Sequence, residues 1–287
     1  MSAVAAEYTE YLARVQARTL AMIVSRVPAV LKSTAEYHLR GLSLTKGFRP
    51  ALVFVTAKRL SLDYDYDDMV IRGVVVQLVH EASLIVDDIL DQSPTRRGQR
   101  AVHMRAGRTL ATCLAGFLNY LALTLVSYSP RLTQALADLV ADLCVGEAEQ
   151  QRGRTLPRPI PLAFWEHIAE NDTGGMFRLA ARLGGASDPL DPALRDLALL
   201  YHGLDDVSDL LAVGTLQGGK DADLRDNIPT LLHVFSPDRS YESLLAAVPD
   251  ALAYLKPKLD FPPLGYTSFW LDLRAMHEQC QGATRDA

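Results

Sequence analysis

Cysteine is scarce in this chain. Cys113, Cys144 and Cys280 are the only three. They lie far apart with no CxxC pair, so neither a disulfide framework nor a zinc site follows, and a cytoplasmic, reducing location fits best. A basic excess is also missing. The formal net charge is −5, which sets nucleic acid aside as a partner and disfavours anionic substrates unless metals or local cations compensate. There is no alternating strand series, low-complexity segment or sustained heptad. The start, MSAVAAEYTEYLARVQARTL, carries Glu7 and Glu10 and lacks a basic stretch ahead of an apolar run, so no signal peptide is expected. The apolar runs are expected to be broken by charge before about 18 residues, so no membrane span is predicted.

What is present is apolar and helical in period. Hydrophobic residues make up 49% of the 287 residues, enough to bury a sizeable core. Apolar positions recur at three and four from Glu7 to Leu31. The stretch Asp67 to Asp91 is almost wholly apolar after a plausible Asp67-Asp68 cap and reads as a central buried helix. Its valines, Val74 to Val76, suit a strand, but its length decides against one. Further helical periods cover Arg108 to Ser127, Arg131 to Gln151, Leu162 to Leu183, Ala193 to Val213 and Tyr241 to Leu255. Turn residues cluster at 93–99, 152–161, 184–192, 214–220 and 256–265. None of these segments has the length or composition of a linker. The prediction is a single all-α domain over residues 1–287 with a helical-bundle core.

The chemistry sits in two aspartate boxes of one shape. The first is Asp87-Asp88-Ile89-Leu90-Asp91 and the second Asp205-Asp206-Val207-Ser208-Asp209. On a helix, the first and last carboxylates of each box share a face at i and i+4. Like charges ~4 Å apart repel by about 4 kcal/mol per pair at an effective dielectric of 20. Such a cluster needs a strong cation, and all-oxygen ligation with room for water or phosphate suits magnesium.

The boxes keep basic company. After the first box come Arg96-Arg97-Gly98, whose forked donors suit a phosphate group. After the second come Gly218-Gly219-Lys220, a loop suited to closing over a diphosphate. Lys46 and Arg49 precede a helix opening near Pro50. His80 lies two turns below Asp87 on nearly the same face.

Together, Lys46…Arg49-Pro50, His80-x-x-Ser83-Leu84-Ile85-x-Asp87-Asp88-x-x-Asp91, Arg96-Arg97-Gly98, Asp205-Asp206-x-x-Asp209, Gly219-Lys220 and Asp223-Leu224-Arg225 resemble the trans-isoprenyl diphosphate synthases, the polyprenyl synthetase family. The resemblance implies that magnesium, about three ions per site, is held by Asp87, Asp88, Asp91, Asp205, Asp206 and Asp209. Lys220 and Arg96 then help neutralise the departing diphosphate of an allylic substrate. It further implies that Lys46, Arg49, His80 and Arg97 hold the diphosphate of isopentenyl diphosphate. The double bond of that acceptor attacks the carbocation, and pyrophosphate takes the proton. A helical bundle of the isoprenoid synthase type with a central active-site cavity, and a homodimer, are also implied.

Departures from the family pattern gather near the site. Where a lysine usually precedes Thr173, the chain has Asn171 or Asp172, depending on a one-residue gap; Tyr201-His202 replaces Phe-Gln before the second box. Thr173, Tyr201 and His202 are counted with the substrate-binding residues. Ala82 and Ser83, just below the first box, are small and leave the product tunnel open, which argues for products of about C20 or longer, with Phe117 on the neighbouring helix as the alternative wall. The alternatives are a terpene cyclase or a prenyltransferase with another acceptor on the same scaffold, and a non-catalytic partner subunit.

Overall fold

A computed structural model describes residues 3–42, 47–63, 65–186, 191–213, 227–259 and 268–285. Lys46, Lys220, Asp223 and Arg225 lie outside these residues. The described chain is helical, as expected. In order it has α1 (Ala3–Arg26), α2 (Ala29–Leu39), α3 (Phe48–Arg59), α4 (Tyr66–Leu90), a short β1–β2 hairpin (Thr95–Arg96, Gln99–Arg100), α5 (Val102–Ala106), α6 (Arg108–Val126) and α7 (Pro130–Gly153). Then follow α8 (Leu162–Ala169), a π-helical turn (Glu170–Gly174), α9 (Gly175–Leu183), α10 (Asp191–Leu211), α11 (Leu232–Phe235), α12 (Tyr241–Leu255), a 3-10 turn (Lys256–Leu259) and α13 (Ser268–Arg285).

The helix boundaries have local causes. The first expected helix is broken into α1 and α2 at Pro28, because the residue before a proline is pushed out of the helical region. The cap of α4 is Asp65 rather than Asp67-Asp68; its side chain accepts from the Asp67 and Asp68 N–H groups at 2.8 and 3.4 Å, worth about 1 kcal/mol. The stretch expected as one helix over Leu162 to Leu183 contains the π turn. A π turn absorbs one extra residue within a helix and often marks a functional position. The expected turn over 93–99 is a two-residue hairpin, with Arg97 and Gly98 at φ 52° and 74° as in a type I′ turn.

The chain divides into two compact units. The first comprises residues 1–138 and 176–188. In it α4 is the central helix, packed on α1, α3 and α6, with Val74, Val75, Val76 and Leu78 fully buried. Gly73 permits the close crossing of α1, since a Cβ there would run into the Tyr11 hydroxyl and Val15. The second unit comprises residues 139–175 and 189–287, and in it α10 packs on α8, the π turn, α12 and α13.

Two helices correct the expectation that charge interrupts every long apolar run. Tyr66–Leu90 and Arg108–Val126 are long and apolar enough to cross a membrane by length and composition. No Asp, Glu, Lys or Arg occurs between Thr109 and Pro130. The apolar window of α4 is 78% buried inside the protein, as a core helix is, whereas that of α6 is 39% buried.

Candidate active site

In the first unit the aspartate box closes α4. Asp87 lies in the last turn and Asp91 is the C-cap, its N–H donating to the Asp87 carbonyl at 2.8 Å. Carboxylates at a helix C-terminus face the negative end of the helix dipole. The last turn of α4 carries no basic residue. Asp87 and Asp91 are half-buried, with oxygen donors one turn apart. This donor set fits a hard divalent cation such as magnesium.

Asp88 is different. It is 2% exposed, and its Oδ1 accepts from Arg96 Nε at 2.9 Å and Nη2 at 2.7 Å. Burial raises its carboxyl above the ordinary range against the opposing pull of Arg96. Arg96, expected to face a phosphate, is thus paired with the middle residue of the box.

One turn and a half deeper lies a buried group that the motifs do not contain. Glu81 is 0% exposed. Arg97 donates to it through both terminal nitrogens, Nη1 to Oε2 and Nη2 to Oε1, each at 3.0 Å. Gln77 Nε2 donates to Oε1 at 2.7 Å, and His38 Nε2 lies 2.8 Å from Oε2. Burial alone would raise the Glu81 carboxyl, but His38 and Arg97 override it and hold the group well below the usual carboxylate range. Gly41 gives Arg97 its space, since a Cβ there would stand 3.3 Å from Arg97 Cδ.

Beside this cluster, Arg49 Nη1 is 3.5 Å from His80 Nε2. A guanidinium only donates, so Nε2 accepts. His80 is held well below its ordinary pKa by burial, and then by Arg49. It is therefore a neutral imidazole. The first unit thus brings together Arg49, His80, Arg96, Arg97 and the first box. Ala82 is fully buried, and Ser83 is half-buried with its hydroxyl donating to the His80 carbonyl at 3.0 Å. Phe117 is half-buried on α6, 5.9 Å from Tyr120, which is 58% exposed and turned outward.

In the second unit the box again sits near a helix C-terminus, in the last two turns of α10, and again without a basic residue in the last turn. Asp205 and Asp209 are half-buried, one turn apart. Asp206 is 7% exposed. Its Oδ2 accepts from Trp165 Nε1 at 2.9 Å and from the Leu231 backbone N–H at 2.7 Å. Trp165 is itself fully buried, with its ring edge-on to His202 (5.9 Å) and Tyr254 (6.0 Å). Around it, Arg195 binds Glu166 at 3.0 Å and Glu170 at 2.5 Å, which fastens the π turn to α10.

The π turn presents Thr173 and Asp172 to His202. Thr173 Oγ1 is 3.0 Å and Asp172 Oδ2 3.6 Å from His202 Nδ1. Asn171 instead turns back and donates to the His167 carbonyl at 2.8 Å. Asp172, not Asn171, is therefore the residue that faces the site where a lysine was expected. Tyr201 is buried, 1% exposed.

The sequence reading missed Glu81, His38, Gln77 and Trp165. A signal existed for Glu81: it is the only acid between Asp68 and Asp87 in an apolar helix, and a buried carboxylate requires a partner. Nothing in the sequence says which cation that is.

The polyprenyl synthetase family profile matches residues 28–252. The chain belongs to the polyprenyl synthetase family. One similar relative is a geranylgeranyl pyrophosphate synthase of Neocamarosporium betae, 33% identical over 161 residues, covering 53% of this chain and 47% of the relative. Another is a colleterpenol synthase of Colletotrichum gloeosporioides, 31% identical over 183 residues, covering 58% of this chain and 23% of the relative. The chain thus spans less than half the length of these curated relatives. Among solved structures, a polyprenyl synthase of Caulobacter crescentus CB15 complexed with calcium and isoprenyl diphosphate shares the fold. Its TM-score is 0.73 at 21% identity, with 96% of each chain covered. The helical periods lead to an all-α bundle and the resemblance to its isoprenoid synthase type, and the solved structures share that fold.

Proposed function

We propose that this chain is a magnesium-dependent prenyltransferase that ionises an allylic diphosphate. The observation that carries this reading is the repeated arrangement of the boxes. Each ends a helix with two half-buried carboxylates one turn apart, at the negative end of the dipole, with no basic residue in the last turn. Asp87 and Asp91, and Asp205 and Asp209, are the residues that would hold the metal. Magnesium, when bound, supplies the positive charge that stabilises the leaving diphosphate. Asp88 and Asp206 are tied into the protein and fix the helix ends that carry the other four carboxylates. Apolar side chains of α4 and α6, with Ala82 and Ser83 beneath the box, exclude water from the cation and accommodate a growing chain.

The resemblance supplies isopentenyl diphosphate as acceptor. The allylic C–O bond breaks, a C–C bond forms, and the proton leaves to pyrophosphate, giving a trans-polyprenyl diphosphate of about C20 or longer if the open floor at Ala82 and Ser83 sets the length. Lys46 and Lys220 are proposed to bind diphosphate groups on the same grounds. A homodimer is proposed too, supported by Tyr120 and Leu123, which stand 58% and 43% exposed on α6. The free thiols of Cys113, Cys144 and Cys280 support a cytoplasmic location.

A second reading keeps the ionisation and changes the acceptor, by ring closure or by a different nucleophile. The buried Glu81 at Arg97 favours it. The test is to incubate the purified protein and magnesium with C5, C10, C15 and C20 allylic diphosphates, with and without isopentenyl diphosphate. Pyrophosphate release with a lengthened prenyl diphosphate is the expected outcome. Release without isopentenyl diphosphate, with a hydrocarbon or alcohol as product, selects the second reading. No release from any substrate contradicts both.

A further inference from the structure

We infer that Glu81 is an internal counter-anion that occupies the Arg97 fork and weakens the binding of a diphosphate-bearing acceptor. This rests on the proposed prenyltransferase reading, because it concerns the second substrate of that site. The geometry is specific. Both terminal nitrogens of Arg97 end on the two oxygens of one carboxylate at 3.0 Å, the same bidentate contact that a phosphate group would make. The carboxylate is 0% exposed, and Gln77 and His38 hold it from the other sides. Arg97 itself is a non-glycine residue at φ 52° in the hairpin turn, a conformation that persists where surrounding contacts fix it. The Glu81 pair and the Gly41 carbonyl, 3.4 Å from Arg97 Nη1, are such contacts.

An arriving diphosphate meets two obstacles. It must displace Glu81 from the fork, leaving a fully buried charge without its main partner. It must also approach that charge with like sign. His80 adds no cation to offset this, being neutral. A diphosphate-bearing acceptor is therefore bound weakly, while an uncharged acceptor, or the substrate's own double bonds, meets no such opposition.

The experiment is calorimetric titration of the whole protein with isopentenyl diphosphate in the absence of magnesium, so that metal-dependent binding at the aspartate boxes does not contribute. Glu81→Gln keeps the shape and removes the charge; it is expected to tighten binding about tenfold or more. The double variant Glu81→Gln with Arg97→Gln replaces the pair by a neutral pair. It is expected to bind within about threefold of the unaltered protein, because Arg97 is already spent on Glu81. Thermal unfolding of each variant establishes that it is folded. Unchanged or weaker binding in Glu81→Gln overturns the inference, since it makes Glu81 an orienter of Arg97 for the ligand. A loss of about tenfold or more in the double variant overturns it as well. Failure of the prenyltransferase reading is read separately, as absence of magnesium-dependent pyrophosphate release from every allylic diphosphate, and leaves the titration result standing on its own.

Discussion

The two aspartate boxes share a sequence pattern and a helix position, yet their middle carboxylates are satisfied by opposite kinds of partner. Asp88 accepts twice from a guanidinium. Asp206 accepts from an indole N–H and a backbone N–H. The consequence is electrostatic. Arg96 offsets the charge of Asp88, whereas the Trp165 and Leu231 donors to Asp206 carry none. The same repeat thus anchors one middle carboxylate through an ion pair and the other through neutral donors.

The comparison is broken most severely through the outward carboxylates. Asp87→Ala and Asp205→Ala are each expected to lower pyrophosphate release from an allylic diphosphate by at least about a thousandfold, because each removes a proposed metal ligand. Full activity in either variant contradicts the assignment. Next in size is the ion pair. Arg96→Ala leaves Asp88 buried without its partner and is expected to cost roughly 3–5 kcal/mol in chemical denaturation. Trp165→Phe removes one neutral donor from Asp206 and is expected to cost only about 1–2 kcal/mol. Equal costs for the two would erase the distinction between the halves.

Acid sharpens the comparison further. His233 in the second unit accepts from the Thr230 N–H at 3.2 Å, and burial first, then Arg158 and Arg239, lower its pKa from 6.5 to about 4. An unfolded histidine takes up its proton near 6.5, and the folded protein does so only near 4. Stability is therefore whole above 6.5 and falls as pH drops through this window, by roughly 3 kcal/mol at most. His233→Asn, which keeps an acceptor at the same place, is expected to flatten that part of the stability profile. In the first unit Glu81 is held charged far below this window, so its ion pair with Arg97 persists across it.

Much of this was legible in the chain itself. The helical periods and the two boxes are written in residue order, and so are α4 and its histidine. The boundaries were less so, because Pro28 and the π turn act through backbone geometry that a pattern of apolar positions does not carry. The sequence shows Arg96 and Arg97 as adjacent free cations. Only the hairpin, which turns them onto Asp88 and Glu81, shows that both forks are taken. Asp172 was ambiguous with Asn171 until the π turn set which one faces His202. The freedom of α6 from charge is written in the residue order, but its exposure is not, since the equally apolar α4 is mostly buried.

The central claim is that each box gives its outer carboxylates to the metal and keeps the middle one for the protein. The direct measurement is the magnesium concentration for half-maximal pyrophosphate release. It is predicted to rise at least about tenfold in Asp87→Asn, Asp91→Asn, Asp205→Asn and Asp209→Asn, and to stay within about threefold in Asp88→Asn and Asp206→Asn. A rise of the same size in Asp88→Asn or Asp206→Asn would contradict the account.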